Sequence, residues 1–424
     1  MNKIKILLLI FLLAIAIRVG LNIVKQEFVL HRPFVAKEIN TEDERTDSDA
    51  VWYIEAAKGF LKGKGVVSMT TDCVHYDNHG DFPINGDKNI LDDKYYAHRN
   101  IPPLYPLFLA FCFYLGGANM LAYFIPQLVI SSLTCLIIYL IAEEIFDRRT
   151  ALWAGLLMVF YPDLIFWMNF ARTETLFIFL LSLGFLLLIK GNSKGNIFLI
   201  CMSGVVLGLA CLTRITLIFF LPVFFIWLAY YFSKDKKESL KVALCMISIA
   251  ALILLPWALR NYYLFGQFTV FSEEARILTM TIGQQYPYSA INFSYASHKT
   301  TFMQTISFIR YNFREYVISC GYRLAILLSP FTAGMKPLAK LYKGLWWLLI
   351  FPTAFWGMFI SRKEWGSGTK LILIFIVYHV LLHTASYMDL GLIYRYPIQP
   401  FICIFTAYGV CSFFPSKPNK ETAN

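Results

Sequence analysis

Two carboxylates, Asp47 and Asp49, stand just beyond the first long apolar segment, in a chain that keeps charge out of its apolar stretches. Asp49 heads the run Asp49-Ala-Val-Trp-Tyr53-Ile-Glu55-Ala-Ala-Lys-Gly59. Charge at the mouth of a membrane protein is costly and needs a reason. A carboxylate at that depth can take a proton from a hydroxyl while the hydroxyl attacks an electrophile held at the interface. Asp49 is the first candidate for that base and Asp47 the alternative. Other polar residues sit near segment ends: Asp163 after Tyr161-Pro162, Glu174 after Arg172-Thr173, and Arg99, Arg214, Arg260 and Arg395. Taken singly, each is more readily a helix cap or a side chain snorkelling to the interface. Cys73-x-His75-x-x-x-His79 with Asp72, Asp77 and Asp81 has the composition of a metal site, but its spacing matches no closed zinc pattern, and it reads as a solvated loop. His379 and His383, four apart on one helical face, read as pocket lining.

The elements that must position these residues are membrane helices. The 424 residues are 58% hydrophobic and 15% charged, with mean hydropathy +0.56, outside the range of soluble domains. The apolar residues arrive in blocks of roughly 17 to 25, the length that carries a helix across a bilayer core. The blocks are 4–24, 119–142, 151–170, 174–190, 196–213, 215–232, 241–258, 344–361, 370–387 and 397–414. Ten spans put both ends on one side. The short links there, with the tail, hold Lys3, Lys5, Arg148, Arg149, Lys190, Lys194, Lys234, Lys236, Lys237, Lys241, Arg362, Lys363, Lys370, Lys417 and Lys420, so that side is cytoplasmic. Segment 317–332, interrupted by Arg323 and Pro330, reads as a helix on the outer surface, which leaves Lys336, Lys340 and Lys343 outside against the rule. Twelve spans are the alternative. A cleaved leader is the alternative for the first segment, from Lys3 and Lys5 before an apolar run with Ala14-Ile15-Ala16.

Two outer loops are long, 25–103 and about 260–318, with no separate soluble domain. The first holds 14 of the 27 acidic residues against 10 basic ones, net −4, so the rest of the chain is net +15 and the total +11. The positive balance is a topology charge, and nothing resembles a nucleic-acid-binding module. Seven of the nine cysteines fall in apolar helices; Cys73 and Cys320 face the outer compartment, where a bridge is allowed but unsupported. Trp346, Trp347, Trp356, Tyr394 and Tyr396 near segment ends read chiefly as an aromatic belt. No internal repeat counts toward a transporter of two related halves.

The order of motifs resembles the GT-C superfamily of polyprenol-phosphate-sugar-dependent glycosyltransferases, in the branch of bacterial protein O-mannosyltransferases and the lipid A aminoarabinose transferase. The resemblance runs from about Arg18 to Pro400. It rests on Arg18; Asp49-x-x-x-Tyr53-x-x-x-Ala57-x-x-Phe60-x-x-Gly63; Arg99-Asn-Ile-Pro102-Pro103-Leu104-Tyr105-Pro106-Leu107; Tyr161-Pro162-Asp163; and Arg172-Thr173-Glu174. Gly208 through Thr213-Arg214, Pro256-Trp257-Ala-Leu-Arg260-Asn261-Tyr262 and Tyr394-Arg395-Tyr396-Pro397 complete it. The chain departs at Ile101, where relatives of the aminoarabinose transferase have Lys, and at Ala50, where many members carry an acid.

The resemblance implies an all-α integral membrane protein of the GT-C fold, about ten spanning helices in a single domain 1–424, in a bacterial inner membrane with its site facing outward. It implies an enzyme that moves a sugar from a polyprenyl phosphate to a glycan, lipid or protein acceptor, inverting the anomeric carbon. Asp49, with Asp47 and Glu174, would be catalytic, and Tyr53, Tyr105, Asp163, Asn261, Tyr396 and His383 would line the pocket. The physics agrees, because a lipid phosphate at the interface needs cations at helix ends. Arg260, Arg395, Arg99 and Arg214 are suited by a planar, bidentate fork that stays charged when desolvated. No cofactor is required by this chemistry; a divalent metal is compatible with it but not indicated. The competing classes are a lipid-linked glycan flippase or transporter, which needs no such outer loop, and an O-antigen polymerase or ligase, which places its long loop late.

Overall fold

The structure is a computed structural model, and it describes residues 2–24, 48–69, 90–92, 95–97, 101–270, 301–331, 337–386 and 392–414. The helices, in chain order, are α1 (Lys3–Val24), α2 (Ser48–Leu61), α3 (Leu104–Gly116), α4 (Met120–Ile145), α5 (Arg148–Val159), α6 (Pro162–Trp167), α7 (Glu174–Lys194) and α8 (Ile197–Cys211). After a 3₁₀ turn (Ile215–Phe220) come α9 (Leu221–Tyr231), α10 (Lys236–Phe265), α11 (Thr301–Tyr311), α12 (Phe313–Leu328), α13 (Pro337–Ser361) and α14 (Ser367–Ser386); the 3₁₀ turn Leu392–Ile398 leads into α15 (Gln399–Phe413). Three short strands, β1 (Val67–Met69), β2 (Ile90–Asp92) and β3 (Tyr95–Ala97), pair antiparallel in the order β1-β3-β2, with Val67 opposite Ala97.

Among the described residues, seven helical stretches are long and apolar enough to cross a membrane: Lys3–Ile23, Met120–Ile145, Glu174–Lys194, Lys236–Phe265, Lys340–Glu364, Ser367–Ser386 and Tyr394–Phe413. The three other blocks expected to span are shorter. Block 196–213 is the 15-residue α8, and 215–232 is divided between a 3₁₀ turn and α9. Block 151–170 is not one helix. Pro162 lacks an amide N–H and pushes Tyr161 into extended backbone (φ −68°, ψ 112°), so α5 stops at Val159 and α6 starts in a new direction. The 16-residue α12, which covers most of 317–332, is not among the seven.

Short polar caps turn the chain at one end of the bundle. Asp147 accepts from Arg149 N and Thr150 N to start α5, Asn196 from Leu199 N to start α8, and Asp235 from Lys237 N to start α10. That end also carries the Lys3–Glu143 ion pair at 2.5 Å. The apolar middle is aromatic: Phe185, Phe220, Phe224, Phe375 and Phe401 are buried ring against ring at 4.8–5.6 Å. Two helix pairs come into close contact through glycine. A Cβ at Gly357 of α13 would lie 1.9 Å from the Phe405 carbonyl of α15, and one at Gly204 of α8 would lie 2.7 Å from the Met246 carbonyl of α10. Gly204 and Gly208 form a G-x-x-x-G pair facing α10, the spacing that lets membrane helices approach.

Candidate active site

The polar side chains collect at the opposite end of the bundle from Lys3 and Asp147. α2 buries Ala50, Ile54 and Ala57, one helical face, in the same core as Tyr105 and Leu109 of α3. Tyr53 meets Tyr105 edge to face at 5.2 Å. The Tyr105 hydroxyl donates to Gln127 Oε1 at 3.3 Å, and Gln127 Nε2 donates to the carbonyls of Met168 and Phe170, both at 3.0 Å. Burial, then the neighbouring Tyr123, Glu174 and Tyr53, push the Tyr105 phenol well above its ordinary value, so it stays a proton-bearing donor. The Leu104 amide donates to the Leu212 carbonyl, which ties the Pro-Pro turn to the end of α8.

Two buried ion-paired centres follow. Arg214 Nη1 is 3.1 Å from Glu174 Oε1, and its guanidinium lies over the Phe177 and Tyr394 rings. The second oxygen, Glu174 Oε2, is buried with no hydrogen-bond partner. Glu174 lines a cavity of about 20 Å³ with Arg18, Ser131, Trp167 and Tyr396. Arg18 is fully buried and donates to Ser131 Oγ at 2.9 Å and to the carbonyls of Ala14, Met158 and Val159.

The second centre is Asp163, held by Lys343 Nζ at 2.8 Å and lying 3.8 Å from Arg395 Nη2. Arg395 Nη1 donates to the carbonyls of Ser329 (2.8 Å) and Leu327 (3.4 Å), at the end of α12. The turn Leu392–Ile398 thus sends consecutive side chains to three places. Tyr394 stacks with His383, whose ring is 4.3 Å from His379; Arg395 meets Asp163; and the Tyr396 hydroxyl accepts from Trp167 Nε1.

Arg260 and Asn261 lie elsewhere. Arg260 donates to Asn261 Oδ1 (2.9 Å) and the Val66 carbonyl (3.3 Å) and stacks on Trp257 and Phe265. Asn261 donates to the Thr269 carbonyl at 2.9 Å.

The residues expected from sequence fall into three groups. Tyr53, Tyr105, Glu174, Arg214, Tyr396, Asp163, Arg395 and His383 form one neighbourhood at this end of the bundle. Arg260 and Asn261 anchor loop backbone beside α2. Asp47, Arg99, Cys73, His75 and His79 lie outside the described residues; Asp49 is the second residue of α2, and its side chain is also outside them. Glu174 pairs with Arg214, whereas Arg172 lies over the Trp167 ring at 5.0 Å. Among the described residues no group of three His, Cys, Asp or Glu side chains is placed to hold a metal ion. Sequence reasoning missed Lys343, Gln127 and Trp346. Only Lys343 left a signal, a cation on the side where the charge rule disfavours one.

Residues 100–259 match the model of the dolichyl-phosphate-mannose-protein mannosyltransferase family. No protein of curated function matches the chain by sequence. The oligosaccharyltransferase AglB from Archaeoglobus fulgidus, solved with an inhibitory peptide and a dolichol-phosphate, superposes over 97% of the chain with a TM-score of 0.57 at 14% identity. ArnT from Cupriavidus metallidurans, solved with undecaprenyl phosphate, superposes over 97% with a TM-score of 0.56 at 13% identity. The chain spans 50% of that AglB chain and 60% of that ArnT chain. At these identities the likeness is one of fold.

Proposed function

The chain has the GT-C glycosyltransferase fold in a multi-pass membrane protein, and on that premise we propose that it transfers a sugar from a polyprenyl phosphate to an acceptor hydroxyl at the outer face of the membrane. The observation that carries this reading is the layer of buried charge at one end of an apolar bundle, Glu174–Arg214 and Asp163 between Lys343 and Arg395. Ionisable groups at such depth are functional by default. Through Tyr53 and Tyr105, the helix headed by Asp49 packs beside that layer. The lipid phosphates in the AglB and ArnT structures support a lipid-linked donor.

In this reaction the acceptor oxygen attacks the anomeric carbon as the bond from that carbon to the phosphate oxygen breaks. Asp49 takes the hydroxyl proton, and the polyprenyl phosphate leaves with the bonding pair, its charge countered by arginine. A single displacement inverts the anomeric carbon. Neither step calls for a redox cofactor, and the sugar class, hexose or pentose, follows from loops that the chemistry of this layer does not define.

Cells with and without the gene should differ in one lipid-linked sugar and one surface glycan. Accumulation of a polyprenyl phosphate sugar, with loss of the same residue from the glycan, is the expected result; unchanged pools of both would remove the reading. Proton NMR of the product glycoside should show the anomeric configuration opposite to the donor's.

A further inference from the structure

We propose that the pocket between α6, α13 and the Leu392–Ile398 turn is a phosphate site in which Asp163 is the resident anion, so that a polyprenyl phosphate enters by displacing Asp163 from Lys343 and Arg395. The inference rests on the reading above that the donor is a polyprenyl phosphate, and names the residues that receive its phosphate.

The pocket is lined by Asp163, Lys343, Arg395 and Trp346, with Phe351 and Pro330 among its apolar walls. Its charges are two cations and one carboxylate, an excess of positive charge in a buried place. Its polar atoms are poorly matched: Asp163 Oδ1, although 2.8 Å from Lys343 Nζ, makes no hydrogen bond. Arg395 Nε and Trp346 Nε1 are both buried and have no acceptor. An unmet buried donor is costly, so two in one pocket point to an acceptor-rich ligand. A phosphate is such a ligand, and the planar guanidinium fork suits it.

The geometry requires exchange rather than addition. The free space is about 10 Å³, enough for about one water and not for a phosphate beside the carboxylate. Asp163 is held unevenly: Lys343 grips one oxygen at 2.8 Å, while Arg395 Nη2 stands 3.8 Å from the other, beyond hydrogen-bond reach. Arg395 is fixed by the Ser329 and Leu327 carbonyls, so the fork keeps its place when its anion changes. Lys343, its side chain 23% exposed on a flexible stem, is the member free to follow. A lipid is the source of the phosphate that fits best. Lys343 sits on α13 amid Leu341, Leu345 and Leu348, each at least 60% exposed on a helix long and apolar enough to meet the bilayer. Lys343 is then a binding residue, which accounts for a cation kept where the positive-inside rule disfavours one.

The test measures equilibrium binding of undecaprenyl phosphate to the full-length protein in nanodiscs. Asp163→Asn removes the competing charge and should tighten binding by about three- to tenfold. Lys343→Ala should weaken it by a similar factor, with Lys343→Arg restoring most of it. Millimolar inorganic phosphate should not compete. If Asp163 merely positions the two cations, Asp163→Asn will leave binding unchanged or weaken it, which overturns the displacement. Unaltered binding in Lys343→Ala overturns the site, and that variant carries the test should Asp163→Asn not accumulate. Competition by inorganic phosphate would overturn the lipid assignment. Each of these failures, with wild-type binding intact, leaves the proposed transfer standing; wild-type protein that binds no undecaprenyl phosphate would instead bring down the reading beneath it.

Discussion

Arg18, Arg214 and Arg260 are held in three different ways, and the way chosen separates the roles. Arg18 is held by a hydroxyl and backbone carbonyls, Arg214 by Glu174 and two aromatic faces, and half-buried Arg260 by Asn261 and Val66. Removing one partner of a buried pair strands the other, so Arg214→Ala should destabilise the protein by about 3 kcal/mol or more, while Glu174→Gln, which keeps hydrogen bonding, should cost less. Thermal unfolding in detergent measures both, and equal losses would contradict a buried pair. Asp49 is different because its proposed task is chemical. Asp49→Asn should fold and insert normally yet lower transfer by about 10²-fold or more, with Asp47→Asn doing less. Near-wild-type turnover of Asp49→Asn would reassign the base, and Glu174, whose second oxygen has no partner, would be the next to test.

At the scale of elements, glycine and proline decide what meets what. Pro162 breaks the expected long helix and thereby brings Asp163 to Lys343 and Arg395, contacts a continuous helix would have carried elsewhere. α13 and α15 cross where Gly357 and Gly409 leave no room for a side chain; a Cβ at Gly409 would lie 2.4 Å from the Thr353 carbonyl. Gly357→Ala therefore forces backbone apart and should cost about 3 kcal/mol or more. Gly321→Ala on α12 meets nothing within 4 Å and should be neutral or stabilise by up to about 1 kcal/mol through helix propensity. Unfolding midpoints of the two variants should differ in that order, and a tolerant Gly357 would mean the crossing is looser than the structure has it.

At the scale of the whole molecule, the helices alternate so that Lys3, Glu143, Asp147 and Ser367 share one end and the ion-paired layer the other. The Trp227 indole donates to the Ser367 carbonyl, which holds the end of α9 beside the start of α14. Cysteines introduced at Ser233 and Ser367 in a cysteine-free background should therefore respond alike to an impermeant thiol reagent in intact cells, both protected, while Asn78→Cys reacts. Labelling of 367 without 233 would put those two positions on opposite faces and break the arrangement. The solvent, the helical class and the places where apolar blocks end were legible in the sequence, because a bilayer core imposes length and hydropathy on each segment separately. The motif order was legible too, and it named Glu174, Arg214, Asp163 and Arg395. What the sequence did not contain was their partners. Glu174 with Arg214, and Asp163 with Lys343 and Arg395, join residues 40 to 232 positions apart. Such pairs depend on which helices cross and how deep each residue lies, quantities set by packing at close-approach glycines and by one proline break. Only the tertiary structure decided them, and with them whether a charge at a helix end is an anchor or part of a site.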